Sequence, residues 1–436
     1  MTYPIWRECE GLEFSKVNQS ADFDVLIVGG GYSGLWSAFH LLDANSSLRI
    51  AICEAKSIGF GASGRNGGWA STEYPVSRTT LRKRYGVSAI AHLERALSDS
   101  IKAIGQFATL HAPGTNFVKS GTVTFARNDA QLKRLNASED AGVWISGEEL
   151  GELIKVNGAL GGRFNPECAT IQPFELLVGL ARYLVSKGVQ IFTNTEAKIT
   201  KNSVFANSHK LTAPVIVNAT EAFGENPRSF IPLYSLMVAT EPLPEDFWRI
   251  VGNHSRFTFA EFSHLINYAQ RTADNRLAIG GRGATYPYGS NLKIKKESTA
   301  RVHEQIRNLA HSWFPALRDF RFTHAWGGPV AITRDWEPYV QWDPKVGLGR
   351  LGGYAGDGVT LSYLASKILS EEILEIQSDL RSLHFVNREI RRWEPEPIRY
   401  IGVNALVKLS GIADKEERLT GRASLLNRVI EPLILR

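Results

Sequence analysis

The first chemistry this sequence offers lies in three glycines at positions 29, 31 and 34. They follow an apolar, β-branched run at 24–28 and precede Leu35, Ala38, Leu41 and Leu42, which keep helical spacing. A G-x-G-x-x-G string between a strand and a helix suits a pyrophosphate. Gly29 allows the tight turn, Gly31 lets the backbone approach the phosphates, and Gly34 permits close helix–strand packing. The helix start adds amide N–H groups and the positive end of its dipole. A second strand, 49–53, leads into Glu54, 20 residues beyond Gly34. A carboxylate there accepts hydrogen bonds from an adenosine ribose and repels a 2′-phosphate, which disfavours NADP.

Residues 59–68 read GFGASGRNGG, with five glycines in ten positions. Such a loop can lay its amides along a long ligand, with Arg65 facing a phosphate or a flavin oxygen. An NAD dehydrogenase has no need of it here, so FAD is the expected cofactor. A third string, LGGYAGDGVTL at 351–361, runs from a strand into a helix. Amides at that helix start can stabilise the negative charge of a reduced flavin. Asp357 is placed to act as the N-cap of the same helix.

These strings, with MVATEPL at 237–243 and WGGPVAITRD at 326–335, resemble the FAD-dependent oxidoreductases of the D-amino-acid oxidase, glycine oxidase and sarcosine oxidase superfamily. Within it, the sequence is most similar to the gamma-glutamylputrescine oxidoreductase-like branch. The resemblance implies a Rossmann-type domain that binds FAD in an extended form. That domain is interrupted by a second one, whose large antiparallel sheet covers the reactive face of the flavin. The cofactor contacts expected from motif and resemblance are Gly29, Gly31, Tyr32, Ser33, Gly34, Glu54, Ala55, Ala62, Ser63, Gly64, Arg65, Asn66, Gly67, Gly68 and Ala197. Gly353, Tyr354, Gly356, Asp357, Gly358, Val359 and Thr360 complete the set.

Amine oxidation by a flavin moves a hydride from the carbon beside nitrogen to N5 and leaves an imine that water hydrolyses. The cofactor carries the difficult step, and the protein orients the substrate. Candidate substrate contacts are Tyr268, Gln270, Arg271 and Arg282 on strands of the middle region, with Trp326 either a pocket wall or a core residue, and Arg65 beside the flavin. Alternation puts Tyr268 and Gln270 on one face and Arg271 on the other. An arginine here suits a bidentate grip on a substrate carboxylate. The 10 histidines have no HExxH or HxH spacing, so no metal is expected.

Three departures from the resemblance matter. Asp357 stands where the branch often has His. No lysine lies between Leu277 and Thr285 to assist reaction with oxygen, so oxygen and another electron acceptor both remain open. No cysteine lies in 326–335 to attach the flavin, which favours non-covalent FAD. The expected function is FAD-dependent oxidation of a small amine or amino acid, with gamma-glutamylated polyamines or small secondary amines favoured. A dehydrogenase of an amino or hydroxy acid, or a non-catalytic FAD-binding subunit, is the alternative.

The elements that position these residues alternate as strand and helix at both ends of the chain, and strands dominate the middle. The fold class is α/β in its cofactor part and α+β as a whole. The expected division is a lead-in at 1–22, an FAD-binding domain at 23–75, 150–225 and 325–378, a substrate domain at 76–149 and 226–324, and an extension at 379–436. Helices are expected over 81–110, 173–187, 304–313 and 358–376. Strands are expected at 121–125, 189–193, 210–219, 233–240 and 348–353, with a hairpin turning at 273–275. The uncharged run 25–42 reaches the length of a membrane span, but four glycines, two serines and a histidine within it indicate a strand and a helix. A net charge of +6 over 436 residues is too diffuse for nucleic acid, and the basic segment 388–399 reads as a solvated helix face. Three cysteines without close spacing and an acidic N-terminus make the cytoplasm the expected location.

Overall fold

In a computed structural model, which describes residues 3–8, 12–224 and 228–426, the apolar run after the lead-in forms the strand Val25–Val28 at the centre of a six-stranded sheet. Its neighbours are Ile50–Cys53 and Val215–Asn218, followed outward by Gln190–Phe192 and Leu348–Gly352, all parallel, with Tyr339–Asp343 antiparallel at one edge. The central strand is buried throughout, as a strand covered on both faces must be. Val25 and Ile27 pack under the helices, while Leu26 and Val28 pack against a small four-stranded sheet that includes Ser203–Ala206 and His209–Thr212.

The second sheet has eight strands, and its longest pair, Phe230–Thr240 with Phe322–Thr333, lies at one side, the latter as the edge strand. Alternation divides its labour. Tyr234, Leu236 and Val238 face the helix Ala300–Trp313, whereas Met237 and Ala239 face the cofactor side. The expected hairpin closes Asn267–Arg271 onto Leu277–Gly281. Gly161–Asn165 and Phe322–Thr333 both belong to this sheet.

Several elements differ from expectation. The helix expected over 81–110 is two, Arg78–Tyr85 and Val87–His111, because Gly86 adopts φ +83° between them. The strand expected over 210–219 is also two, His209–Thr212 and Val215–Asn218, in different sheets; Pro214, without an N–H, separates them. Residues 388–397 are not a helix. Arg388 pairs with Asp335 at 2.8 Å, and the buried Trp393 donates through Nε1 to the Ile332 carbonyl at 2.9 Å. The extension then forms a long helix, Ile398–Thr420, that the sequence reading did not foresee. Among the described residues no helix is long and apolar enough to cross a membrane, and no group of three His, Cys, Asp or Glu is placed to hold a metal ion. Cys9 and residues 427–436 lie outside the described residues.

Two helices matter most for the site, Tyr32–Ala44 and Gly358–Ile373. Ser366 Oγ donates to the Ser33 carbonyl at 2.9 Å and Ser370 Oγ to that of Ser37 at 3.5 Å. Partners advance together along both chains, so the helices run parallel with both N-termini at one end. Ser366 lies eight residues past Gly358 and Ser33 one past Tyr32, so the later helix begins about 10 Å beyond the first at a rise of ~1.5 Å per residue.

Within this helix layer His40 lies across Trp36, with ring centroids 6.2 Å apart, and meets Tyr363 edge-on at 4.6 Å. Burial, and then the charge of Lys367, lower its pKa from 6.5 to about 3. The fold therefore holds a neutral ring, while the unfolded chain takes up a proton below pH 6.5. Its contribution to stability is full above that pH and falls as pH drops toward 3. Replacing His40 by Leu is expected to remove roughly 2 to 3 kcal/mol of the stability lost between pH 7 and pH 4.5. Urea unfolding at both pH values checks this; parallel losses in the two proteins would contradict it.

Candidate active site

The glycine turn closes on itself by direct backbone contact. Gly29 sits at φ +115°, and a Cβ there would come within 2.5 Å of the Ala219 carbonyl oxygen. At Gly34 a Cβ would lie 1.9 Å from the Gly29 oxygen, so no side chain fits without opening the turn. The loop 59–68 is stitched to this turn: Gly59 N–H donates to the Gly30 carbonyl at 3.0 Å and Tyr32 N–H to Ser63 Oγ at 3.0 Å. Glu54 accepts from the amides of Gly30 and Lys56, each at 2.8 Å. Burial pushes its carboxyl up, and these two bonds pull it back.

The outer half of the loop is held by three side chains from distant segments. Trp326 Nε1 donates to the Arg65 carbonyl at 3.0 Å, Trp6 Nε1 to Asn66 at 2.8 Å and Gln270 Nε2 to Gly67 at 2.6 Å. Each of three consecutive carbonyls thus has its own donor. Gly68, at φ +70°, leaves no room for a Cβ beside Gln270.

A cavity of about 1840 Å³ runs along this surface and on between the two sheets. Gly29, Gly31, Tyr32, Ser33, Glu54, Ala55, Ala62, Ser63, Arg65, Asn66, Gly67 and Ala197 line its first part. Tyr354, Gly356, Asp357, Gly358 and Val359 line the part beyond, at the start of the later helix. There Tyr354 Oη meets Ser33 Oγ at 2.9 Å, which joins the two helix N-termini. The glycine cradle, the carboxylate at one end and the second helix start at the other fit a dinucleotide laid out at full length.

Over that second helix start the eight-stranded sheet contributes Tyr268 and Arg282. Tyr268 Oη is 2.7 Å from Ser235 Oγ, and its ring lies where a Cβ on Gly67 or Gly280 would come within 2.5 Å. Burial raises the pKa of this phenol, against the Ser235 bond and Arg282, so it is protonated at neutral pH. Arg282 donates to the Ala355 carbonyl and lies 5.2 Å over the Trp336 ring.

The chain matches the family model of FAD dependent oxidoreductases over residues 24–372. It belongs to that family. The Escherichia coli gamma-glutamylputrescine oxidoreductase is 26% identical over 82% of this chain and 85% of its own. A probable oxidoreductase OrdL of Haemophilus influenzae is 25% identical over 84% and 86%. Among solved structures, glycine oxidase from Geobacillus kaustophilus aligns with a TM-score of 0.69 at 19% identity, covering 84% of this chain and 99% of that one. This likeness shows the fold.

Not every residue singled out in the sequence reaches the cavity of this FAD-dependent oxidoreductase. Gly34, Gly64, Gly68, Gly353 and Thr360 do not line it, and the first three act by close packing; a Cβ on Gly64 would meet the Gly59 oxygen at 2.3 Å. Arg65 lines it, but its Nη1 is held by Glu297 at 2.6 Å and the Gly327 carbonyl at 2.9 Å. Trp326 is 1% exposed and acts through the Arg65 carbonyl rather than as a pocket wall. Gln270 is a loop anchor. Arg271 points to the opposite face of the sheet, where it binds Glu245 and Asn275 and covers Trp248 at 4.9 Å. Asp357 occupies the N-cap position without a side-chain cap hydrogen bond.

Glu221 was not singled out. It is half-buried on the cavity wall, its carboxylate accepts backbone N–H groups of Ala331, Tyr354 and Gly353, and desolvation raises its pKa. It follows the strand Val215–Asn218 at the carboxyl edge of the parallel sheet, which is where ligands bind in such sheets. That position was the available signal.

Glu54→Gln is expected to weaken FAD binding by about 10- to 100-fold, the range for a hydrogen bond to a charged group. Titrating apo-protein with FAD and following flavin fluorescence checks this. An unchanged Kd would place the ribose elsewhere.

Proposed function

We propose that this oxidoreductase oxidises a small amine or amino acid, and that the substrate lies between the Tyr268–Arg282 pair and the start of the helix Gly358–Ile373. The observation that carries this reading is the meeting of those two side chains with Asp357 on one cavity, at the far end from Glu54. When bound, FAD supplies a two-electron acceptor for the hydride on the carbon beside nitrogen, and the resulting imine is hydrolysed by water. Arg282 provides the positive charge for an anionic substituent, and the protonated Tyr268 hydroxyl donates a hydrogen bond to the same group. The Trp336 ring lies beside the guanidinium, 5.2 Å from its carbon, and offers it a cation–π contact. Arg65, paired with Glu297, braces the loop that covers the cofactor.

Non-covalent FAD is supported by the state of Cys53, which lines the cavity but whose thiol is pushed up to about 12 by burial. A thiol of that kind is a poor nucleophile at neutral pH. The unpaired, buried thiols of Cys53 and Cys168 also support a cytoplasmic setting.

The test is an anaerobic absorbance scan of the holoprotein with a panel of amines, amino acids and hydroxy acids. Bleaching by an amine or amino acid is expected. Bleaching by hydroxy acids alone would favour the other dehydrogenase reading, and a flavin inert to the whole panel would favour a non-catalytic subunit. Readmitted air then distinguishes oxygen from another acceptor by the rate of recolouring. Arg282→Met is expected to raise KM for an amino-acid substrate roughly 30-fold or more, the cost of leaving a charged partner unmatched, with a smaller change in kcat. An unchanged KM would remove Arg282 from the substrate site.

A further inference from the structure

The helix Ile398–Thr420 begins after the last residue matched to the family, Glu372, yet it forms part of the cavity that holds Tyr268 and Arg282. Val403, Leu406 and Val407 line that cavity at helical spacing, bounded by Arg399 on one side and Ser410 on the other. Val403 belongs to one apolar cluster with Ile231, Leu233, Ile332 and Trp393, against which Trp336 packs. This cluster adjoins Arg282 directly, since Trp336 carries the guanidinium and Ala355, another member, accepts its hydrogen bond.

Both ends of the helix are tied down. At its start Glu396 accepts from Tyr286 Oη at 2.8 Å, Gly289 N–H at 2.9 Å and Tyr400 N–H at 3.0 Å. Toward its end Asp414 accepts from the amides of His264 and Leu265 at 2.7 and 2.9 Å. Glu417, 1% exposed, takes two bonds from Arg134 at 2.6 and 2.7 Å. The helix is therefore a fixed wall of the site.

We propose that this C-terminal helix is the specificity wall of the active site, and that it selects substrates carrying an extended alkyl or aryl substituent next to the group held at Arg282. The proposal rests on the amine-oxidation reading above and names its substrate class. A small substrate such as a two-carbon amino acid leaves the half-buried Leu406 and Val407 in contact with water. A longer apolar substituent covers them and gains the transfer free energy of each methylene.

Gly402 gives the test a clean handle. It lines the cavity, and a Cβ built on it meets no atom within 4 Å. A side chain can therefore leave this backbone position unhindered, and Gly402→Phe adds bulk to the wall beside Val403; glycine is a poor helix former, so the change does not threaten the helix. The experiment titrates the holoprotein with two homologous series, straight-chain carboxylates and straight-chain alkylamines. Binding is read from tryptophan fluorescence and from the shift of the flavin spectrum, so turnover is not needed. Affinity in at least one series is expected to rise about fourfold per added methylene. Gly402→Phe is expected to cost the longest member at least tenfold more than the shortest, and Leu406→Ala to reduce the gain per methylene. Chain-length independence in both series, or a gain per methylene untouched by both variants, would overturn the proposal. A gain confined to the amines would instead remove Arg282 from the proposed site and leave the wall standing. Failure of the amine-oxidation reading shows separately, as a flavin that binds the long ligands and is bleached by none of the panel.

Discussion

The contact between Gly34 and the Gly29 carbonyl sets the geometry on which the rest of the site depends. Because a Cβ at Gly34 would lie 1.9 Å from that oxygen, the first helix can start only as close to its strand as glycine allows. That closeness brings the helix dipole and its first amides to the end of the central parallel strand. The helix Gly358–Ile373 is then placed against the first by serine hydroxyls on carbonyls, parallel and about 10 Å ahead at ~1.5 Å per residue. Two positive helix ends thus face one cavity at a separation suited to the two anionic regions of FAD, its pyrophosphate and its reduced ring.

The eight-stranded sheet does the complementary work through alternation. Its outer face is a closed hydrophobic core with the helix Ala300–Trp313, and its inner face carries Ser235, Tyr268 and Gly328 toward the cavity. The same face supplies Trp326 and Gln270, which hold the loop carbonyls of Arg65 and Gly67. The loop 59–68 and the inner face of this sheet are therefore coupled by direct hydrogen bonds, so the same strands fix the position of the loop and that of Tyr268.

Much of this was readable from residue type and spacing. The glycine turn, Glu54 and the loop 59–68 are local signals, and local signals are what a sequence carries best. The hairpin around residue 274 was equally plain. Arg271 shows the limit: alternation already placed it opposite Tyr268 and Gln270, but which face met the cavity is a tertiary fact. The strand Phe322–Thr333 contains Gly327, Gly328 and Pro329, which weaken any local strand pattern, and it exists because the long strand Phe230–Thr240 pairs with it over its full length. The final helix was hidden for a similar reason. Gly402 and Gly411 dilute its helical pattern, and its inward face mixes Val403 with Arg399, Asp414 and Glu417, whose partners lie more than a hundred residues away or across a sharp turn.

The central claim is that one cofactor spans both helix starts, with its adenosine at Glu54 and its ring under Tyr268. The most direct measurement is the affinity of apo-protein for FAD, FMN and riboflavin under the same conditions. An FAD affinity at least 100-fold above that for FMN is expected, because only FAD reaches the Glu54 end of the cavity. Equal affinity for FAD and FMN would contradict the account, since it would mean that the glycine turn and Glu54 contribute nothing to binding.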